Sequence, residues 1–129
     1  MSFPEELHYT ASHEWIRVDG NVATVGITAY AVEQLSDLVF IELPERGATV
    51  EKEQTFGEIE STKTVSELYA PVSGTIVEVN TAIVDDLDRL KDSPYNDGWM
   101  IKIEIADTTE LHSLLSADQY AQQSATEEH

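Results

Sequence analysis

With 129 residues, 41% of them hydrophobic, the chain has the size of one domain with one real core. Its 25 acidic and 7 basic residues leave a net charge of −18, which repels phosphate backbones and anionic headgroups and argues against nucleic-acid or membrane-surface partners. No cysteine is present, so a disulfide framework, a thiolate zinc site and a cysteine nucleophile are excluded, and any thiol chemistry must arrive on a cofactor.

In chain order, residues 1–6 are acidic and lack both a basic region and an apolar run, and no later run approaches the roughly 20 apolar residues that span a bilayer. A cytoplasmic protein is expected. Residues 14–18 lead to Asp19-Gly20-Asn21, and residues 22–27 return. Asp-Gly predicts a hairpin because a type I′ turn needs positive φ. Thr28 is placed to cap a helix over 29–37. Residues 38–43 are β-branched and aromatic and read as a buried strand, ended by Pro44 and Gly47. Strands near 54–60 and 65–69 bracket Lys63, and residues 75–79 alternate again. A short acidic helix or turn is expected around 84–90, then a dense turn cluster over 93–98. Over 99–105 the period is two, with Trp99, Ile101, Ile103 and Ile105 on one face and Met100, Lys102 and Glu104 on the other. Asp107 with Glu110, and Ser116 with Gln119, have the spacing of capping boxes for two short helices, the second running through Tyr120. A frayed polar tail over 122–129 follows. The expectation is a single mainly β domain over 1–129, a barrel-sandwich hybrid with short peripheral helices and a C-terminal helical segment.

Lys63 stands at the tip between two strands, with Ser61, Thr62 and Thr64 beside it and Glu58, Glu60 and Glu67 around it. A lysine offers a long flexible stem and an amine that can be acylated. A tight turn fixes where such an arm begins and leaves its far end free to visit several active sites, each at high local concentration. Small hydroxylated neighbours let a modifying enzyme grasp the turn. An exposed hairpin lysine is also a common feature of an unmodified interaction domain, and that alternative stands beside the first. His8, His13, His112 and His129 match no zinc spacing, so no metal site is expected. Neither a phosphate-cradling glycine loop nor a nucleophile motif is present.

Several segments together resemble the H protein of the glycine cleavage system, a lipoyl carrier family. They are Ser12-His13-Glu14-Trp15, Gly26-Ile27-Thr28, the run from Val39 to Pro44, Glu60-Ser61-Thr62-Lys63, Ala70-Pro71-Val72-Ser73-Gly74 and the run from Ser93 to Trp99. The resemblance covers roughly residues 7–120. It implies lipoate in amide linkage to Lys63 and a non-catalytic carrier; the oligomeric state is open, with a monomer as the default. Such a carrier takes an aminomethyl group from glycine at the pyridoxal-phosphate P-protein and yields it to the T-protein. Its arm is reoxidised by the L-protein, a dihydrolipoyl dehydrogenase. A lipoate-attaching enzyme is a further implied partner. The resemblance also places Ser12, Glu14 and Glu67 around the loaded arm, where carboxylates would favour an ammonium; Glu14 equally reads as a solvated strand carboxylate. Glu67 stands where an aspartate is frequent, Glu53 where a glycine is frequent, and Gln34 where some members carry histidine. A relay of lipoyl or octanoyl groups to 2-oxo acid dehydrogenases is an alternative within the same class. A biotin carrier is another, although Thr62 and Thr64 flank the lysine where biotinyl domains have methionines.

Overall fold

The computed structural model describes residues 3–127. Met1 and Ser2, and Glu128 and His129 of the expected polar tail, lie outside the described residues. Strand β1 (His8–Tyr9) pairs antiparallel with β2 (Glu14–Asp19), and β2 pairs with β3 (Val22–Ile27) as the expected hairpin. The turn differs by one residue from the sequence reading. Asp19 pairs with Val22, so Gly20-Asn21 is the loop, and only Gly20 has positive φ, at 63°. That is the pattern of a type II′ turn, which needs glycine at its first central position.

Helix α1 (Ala29–Leu35) is capped as expected, the Thr28 hydroxyl accepting from the Ala31 N–H. It stops at Ser36, φ 70°, two residues before its expected end. Next come β4 (Leu38–Glu42), β5 (Thr49–Val50), β6 (Thr55–Ser61), β7 (Val65–Tyr69) and β8 (Gly74–Val79). The acidic stretch forms two short helices, α2 (Ala82–Asp85) and α3 (Asp88–Asp92), before β9 (Ile101–Ile105). A 3-10 helix, Thr108–Ser113, precedes α4 (Ala117–Glu127), which continues past the Tyr120 where the sequence pattern ends it.

The strands form two sheets, of order β1-β2-β3-β9-β8-β5 and β4-β6-β7, and neither closes on itself. The mainly β fold with short helices is thus observed as an open two-sheet sandwich. Its main core joins both sheets, with Ile16, Val25, Ile76 and Ile103 from one and Ile41, Phe56, Ile59 and Leu68 from the other. Ile101, Ile103 and Ile105 are buried on one face of β9 as their period requires. Met100, expected on the opposite face, is fully buried in the same core, because the strand begins only after it and the chain there is covered.

The reading of 38–43 as a buried strand is corrected. β4 is an edge strand with a bulge between Leu38 and Phe40; Ile41 is buried, while Val39 and Phe40 are about half exposed. Apolar composition alone does not distinguish a strand covered on both faces from one covered on one.

A second, aromatic cluster fastens α4 to the sheet end. Tyr120 stacks on Tyr9 with ring centroids 4.9 Å apart, and both are fully buried. The Tyr120 hydroxyl lies 2.7 Å from Thr28 Oγ1 and 2.6 Å from His13 Nδ1, so α4 braces both the cap of α1 and the loop before β2.

Candidate functional site

The β6–β7 hairpin holds Lys63 at its tip. Ser61 N–H donates to the Thr64 carbonyl at 2.8 Å and closes the turn. The buried Ser61 hydroxyl accepts from the backbone N–H groups of Lys63 (3.3 Å) and Thr64 (3.2 Å), standing in for main-chain acceptors in the manner of a serine turn. Thr62 N–H donates to the Asp37 carbonyl at 3.0 Å, which ties the tip to the α1–β4 connection. Thr62, Lys63 and Thr64 are exposed, and Lys63 forms no ion pair among the described residues. The turn is hydrogen-bonded at its base and leaves Lys63 exposed.

Beside this hairpin lies a cleft of about 290 Å³. Its polar wall comprises Ser12, His13, Glu14, Gln34, Ser66 and Glu67; Ile27, Tyr30, Leu35, Ile59 and Leu68 supply apolar surface. Glu14 dominates its electrostatics. It is 1% exposed. Its Oε1 accepts from the Ser12 and Thr10 hydroxyls, each at 2.6 Å, and its Oε2 from the Tyr69 N–H at 3.4 Å. Burial pushes the carboxyl up to about 7 against the pull of those donors, because the charged form is stripped of water and meets no cation.

The structure brings the three expected contacts to one cleft, at different depths. Glu14 lies within; the solvated alternative for it is replaced by a buried, hydrogen-bonded carboxyl. Ser12 is exposed at the mouth and reaches inward to Glu14. Glu67 is exposed at the rim, where its Oε2 accepts from the Tyr69 hydroxyl at 2.9 Å. Sequence reasoning missed Thr10 and the Tyr69 N–H. The two hydroxyl residues at 10 and 12 carry a turn signal for the first: His13, at φ 77°, donates its N–H to the Thr10 carbonyl at 3.2 Å, and that turn folds Thr10 and Ser12 back onto Glu14. No local signal exists for the second.

A larger hollow of about 520 Å³ shares Ser12 and Glu14 but runs past Tyr69 to Pro71 and Leu115, farther from Lys63 along β7. Glu53 borders it with φ 70° and donates its N–H to the Ala70 carbonyl at 2.7 Å. The backbone there keeps the left-handed shape that suits glycine, with a glutamate in place.

The sequence profile of the family described as Glycine cleavage H-protein matches residues 7–127. The chain belongs to this family. The glycine cleavage system H protein of Brevibacillus brevis is 52% identical over 120 residues, spanning 93% of this chain and 95% of its own length. That of Staphylococcus epidermidis is 53% identical over 122 residues, spanning 95% and 97%. The crystal structure of a glycine cleavage system H protein from Mycobacterium marinum superposes with a TM-score of 0.88 at 47% identity, covering 95% of this chain and 99% of that one. Fold and sequence therefore agree over nearly the whole H-protein length.

Proposed function

We propose that this chain is the lipoyl carrier of a glycine cleavage system, bearing lipoate in amide linkage on Lys63. It shuttles the aminomethyl group of glycine from the P-protein to the T-protein and presents its arm to the L-protein, working in the cytoplasm as a carrier with no reacting side chain of its own. When bound, the lipoyl group supplies a dithiol–disulfide couple that the cysteine-free chain lacks.

The observation that carries this reading is the exposed, unpaired Lys63 at a tied turn, with the Glu14 cleft within an arm's length. Ser66 to Leu68 border the cleft three to five residues from Lys63, roughly 10–16 Å along the strand. A lysine extended by a lipoyl amide reaches on the order of 14 Å, given covalent bonds near 1.5 Å. The smaller cleft is therefore within reach, and the part of the larger hollow past Tyr69 lies beyond it.

Within that cleft each group has a task. The apolar wall excludes water. Thr10 and Ser12 aim the Glu14 carboxyl by donating to one oxygen, leaving the charge near the cleft. An ionised Glu14 is unfavourable in the empty cleft and is compensated by an ammonium, so the pocket discriminates a cationic cargo from a neutral one. The exposed Glu67 adds a weaker, solvent-screened attraction at the rim.

Incubation with a purified lipoate ligase, lipoate and ATP tests the reading by intact mass and peptide mapping across residue 63. One lipoyl adduct on wild type and none on Lys63→Arg, with unchanged circular dichroism, is the expected result. An unmodified wild type, or an adduct elsewhere, rejects it.

A further inference from the structure

Among the described residues four large apolar side chains are left exposed, and three of them, Val39, Phe40 and Val65, gather beside the Lys63 turn. Register explains the grouping. Phe40 pairs with Glu60, and Glu60 with Val65, so these form one row across β4, β6 and β7. Directly opposite residues share a face of a sheet. Ile41 and Ile59, one step along, are buried, so this row is on the outer face. Two residues farther from the turn, Glu42, Glu58 and Glu67 form a second row of carboxylates on the same face. None of the three has a cationic partner among the described residues. Like charges directly opposite one another are unfavourable in the free chain. The face thus carries two exposed apolar side chains, Phe40 and Val65, on either side of Glu60, and an unneutralised anionic row about 7 Å behind them.

We propose that this outer face of β4-β6-β7 is the docking surface for the lipoate-attaching enzyme, which presents an apolar seat to Phe40 and Val65 and basic side chains to the carboxylate row. The inference rests on the lipoyl reading of Lys63 and adds which partner uses this face. Reach decides the occupant. A bare lysine extends only about 6 Å from its Cα. The enzyme that first acylates it must therefore press against the flanks of the turn, where Val65 is two residues away and Phe40 two strands, about 10 Å, across. Enzymes served later by the lengthened arm can stand off by more than twice that distance. The acylation itself forms one amide bond from the lysine nitrogen to the activated carboxyl carbon. It breaks that carbon's bond to a nucleotide leaving group derived from ATP, and releases the amine proton to solvent.

Lipoate ligase kinetics with the chain as varied substrate, read by intact mass, test the proposal. Phe40→Thr combined with Val65→Thr, which keeps strand-compatible residues, is expected to raise KM tenfold or more with kcat within twofold. Glu42→Gln with Glu58→Gln is expected to raise KM several-fold in low salt and to flatten its salt dependence. Both pairs, once fully lipoylated at high enzyme concentration, are expected to be reduced by NADH and dihydrolipoyl dehydrogenase at the wild-type rate. Should the threonine pair lose its fold, the near-isosteric Val65→Thr alone carries the test, with a threefold rise in KM expected. KM values within twofold of wild type overturn the docking surface, as does an equal loss in the dehydrogenase reaction. A wild type that accepts no lipoate defeats the lipoyl reading instead, which keeps the two failures apart.

Discussion

Replacing Glu14 with glutamine removes one proton-binding site from the driest part of the cleft, and its effect on stability has a definite pH signature. In the unfolded chain this carboxyl titrates near its ordinary value of 4.5; in the folded protein it titrates at about 7, because burial outweighs its three hydrogen-bond donors. Between those limits the folded state holds a proton that the unfolded state has released. Stability therefore falls as pH rises through that window. At about 1.36 kcal/mol per pH unit the gap amounts to about 3 kcal/mol, fully expressed above pH 7 and absent below pH 4. Glutamine cannot ionise. Its amide can still accept from Ser12 and Thr10, at a pH-independent cost of about 1 kcal/mol where its N–H₂ group meets the Tyr69 N–H. The measurement is urea unfolding of both proteins from pH 4 to 8.5, followed by tryptophan fluorescence. The difference in stability, glutamine minus wild type, is expected to climb by about 3 kcal/mol across the window. The other 24 acidic groups are common to both chains and cancel to first order. A difference that changes by less than about 1 kcal/mol would refute the desolvated carboxyl and with it the selection of a cationic cargo.

Two further substitutions probe the frame of the site. Glu53 holds φ 70° without the freedom of glycine, so Glu53→Gly is expected to stabilise the fold by about 1 kcal/mol and raise Tm by roughly 3 °C, whereas Glu53→Ala gives no such gain; equal Tm values for glycine and alanine would contradict the strain. Gly57 admits no side chain, since a Cβ there would stand 2.2 Å from the Glu42 carbonyl oxygen across the β4–β6 pair. Gly57→Ala is expected to cost roughly 2–3 kcal/mol in urea unfolding and to slow lipoylation of Lys63 by shifting the docking face; a cost under about 0.5 kcal/mol would show that the pair yields freely.

Much of the fold is written in short-range pattern. The Thr28 cap, the isoleucine alternation of β9 and the Lys63 turn each involve residues within four positions of one another, and each forms where its pattern places it; the Asp19–Asn21 signal yields its hairpin with the loop one residue on. The membership of Ser12, Glu14 and Glu67 in one cleft came from family resemblance, and the geometry collects them.

What the sequence by itself determined is most of the local elements and the place of Lys63 at the tip between two strands, because hydrogen bonds between near neighbours and period-two patterning act within a single segment. Tertiary structure alone decided that β4 shows Val39 and Phe40 to solvent, that Met100 is covered, and that Glu14 is buried against the Tyr69 N–H, 55 positions away. A side chain's own segment says which way it alternates, but only the segments that fold over it fix how much water it loses, and that loss raises the Glu14 carboxyl to about 7.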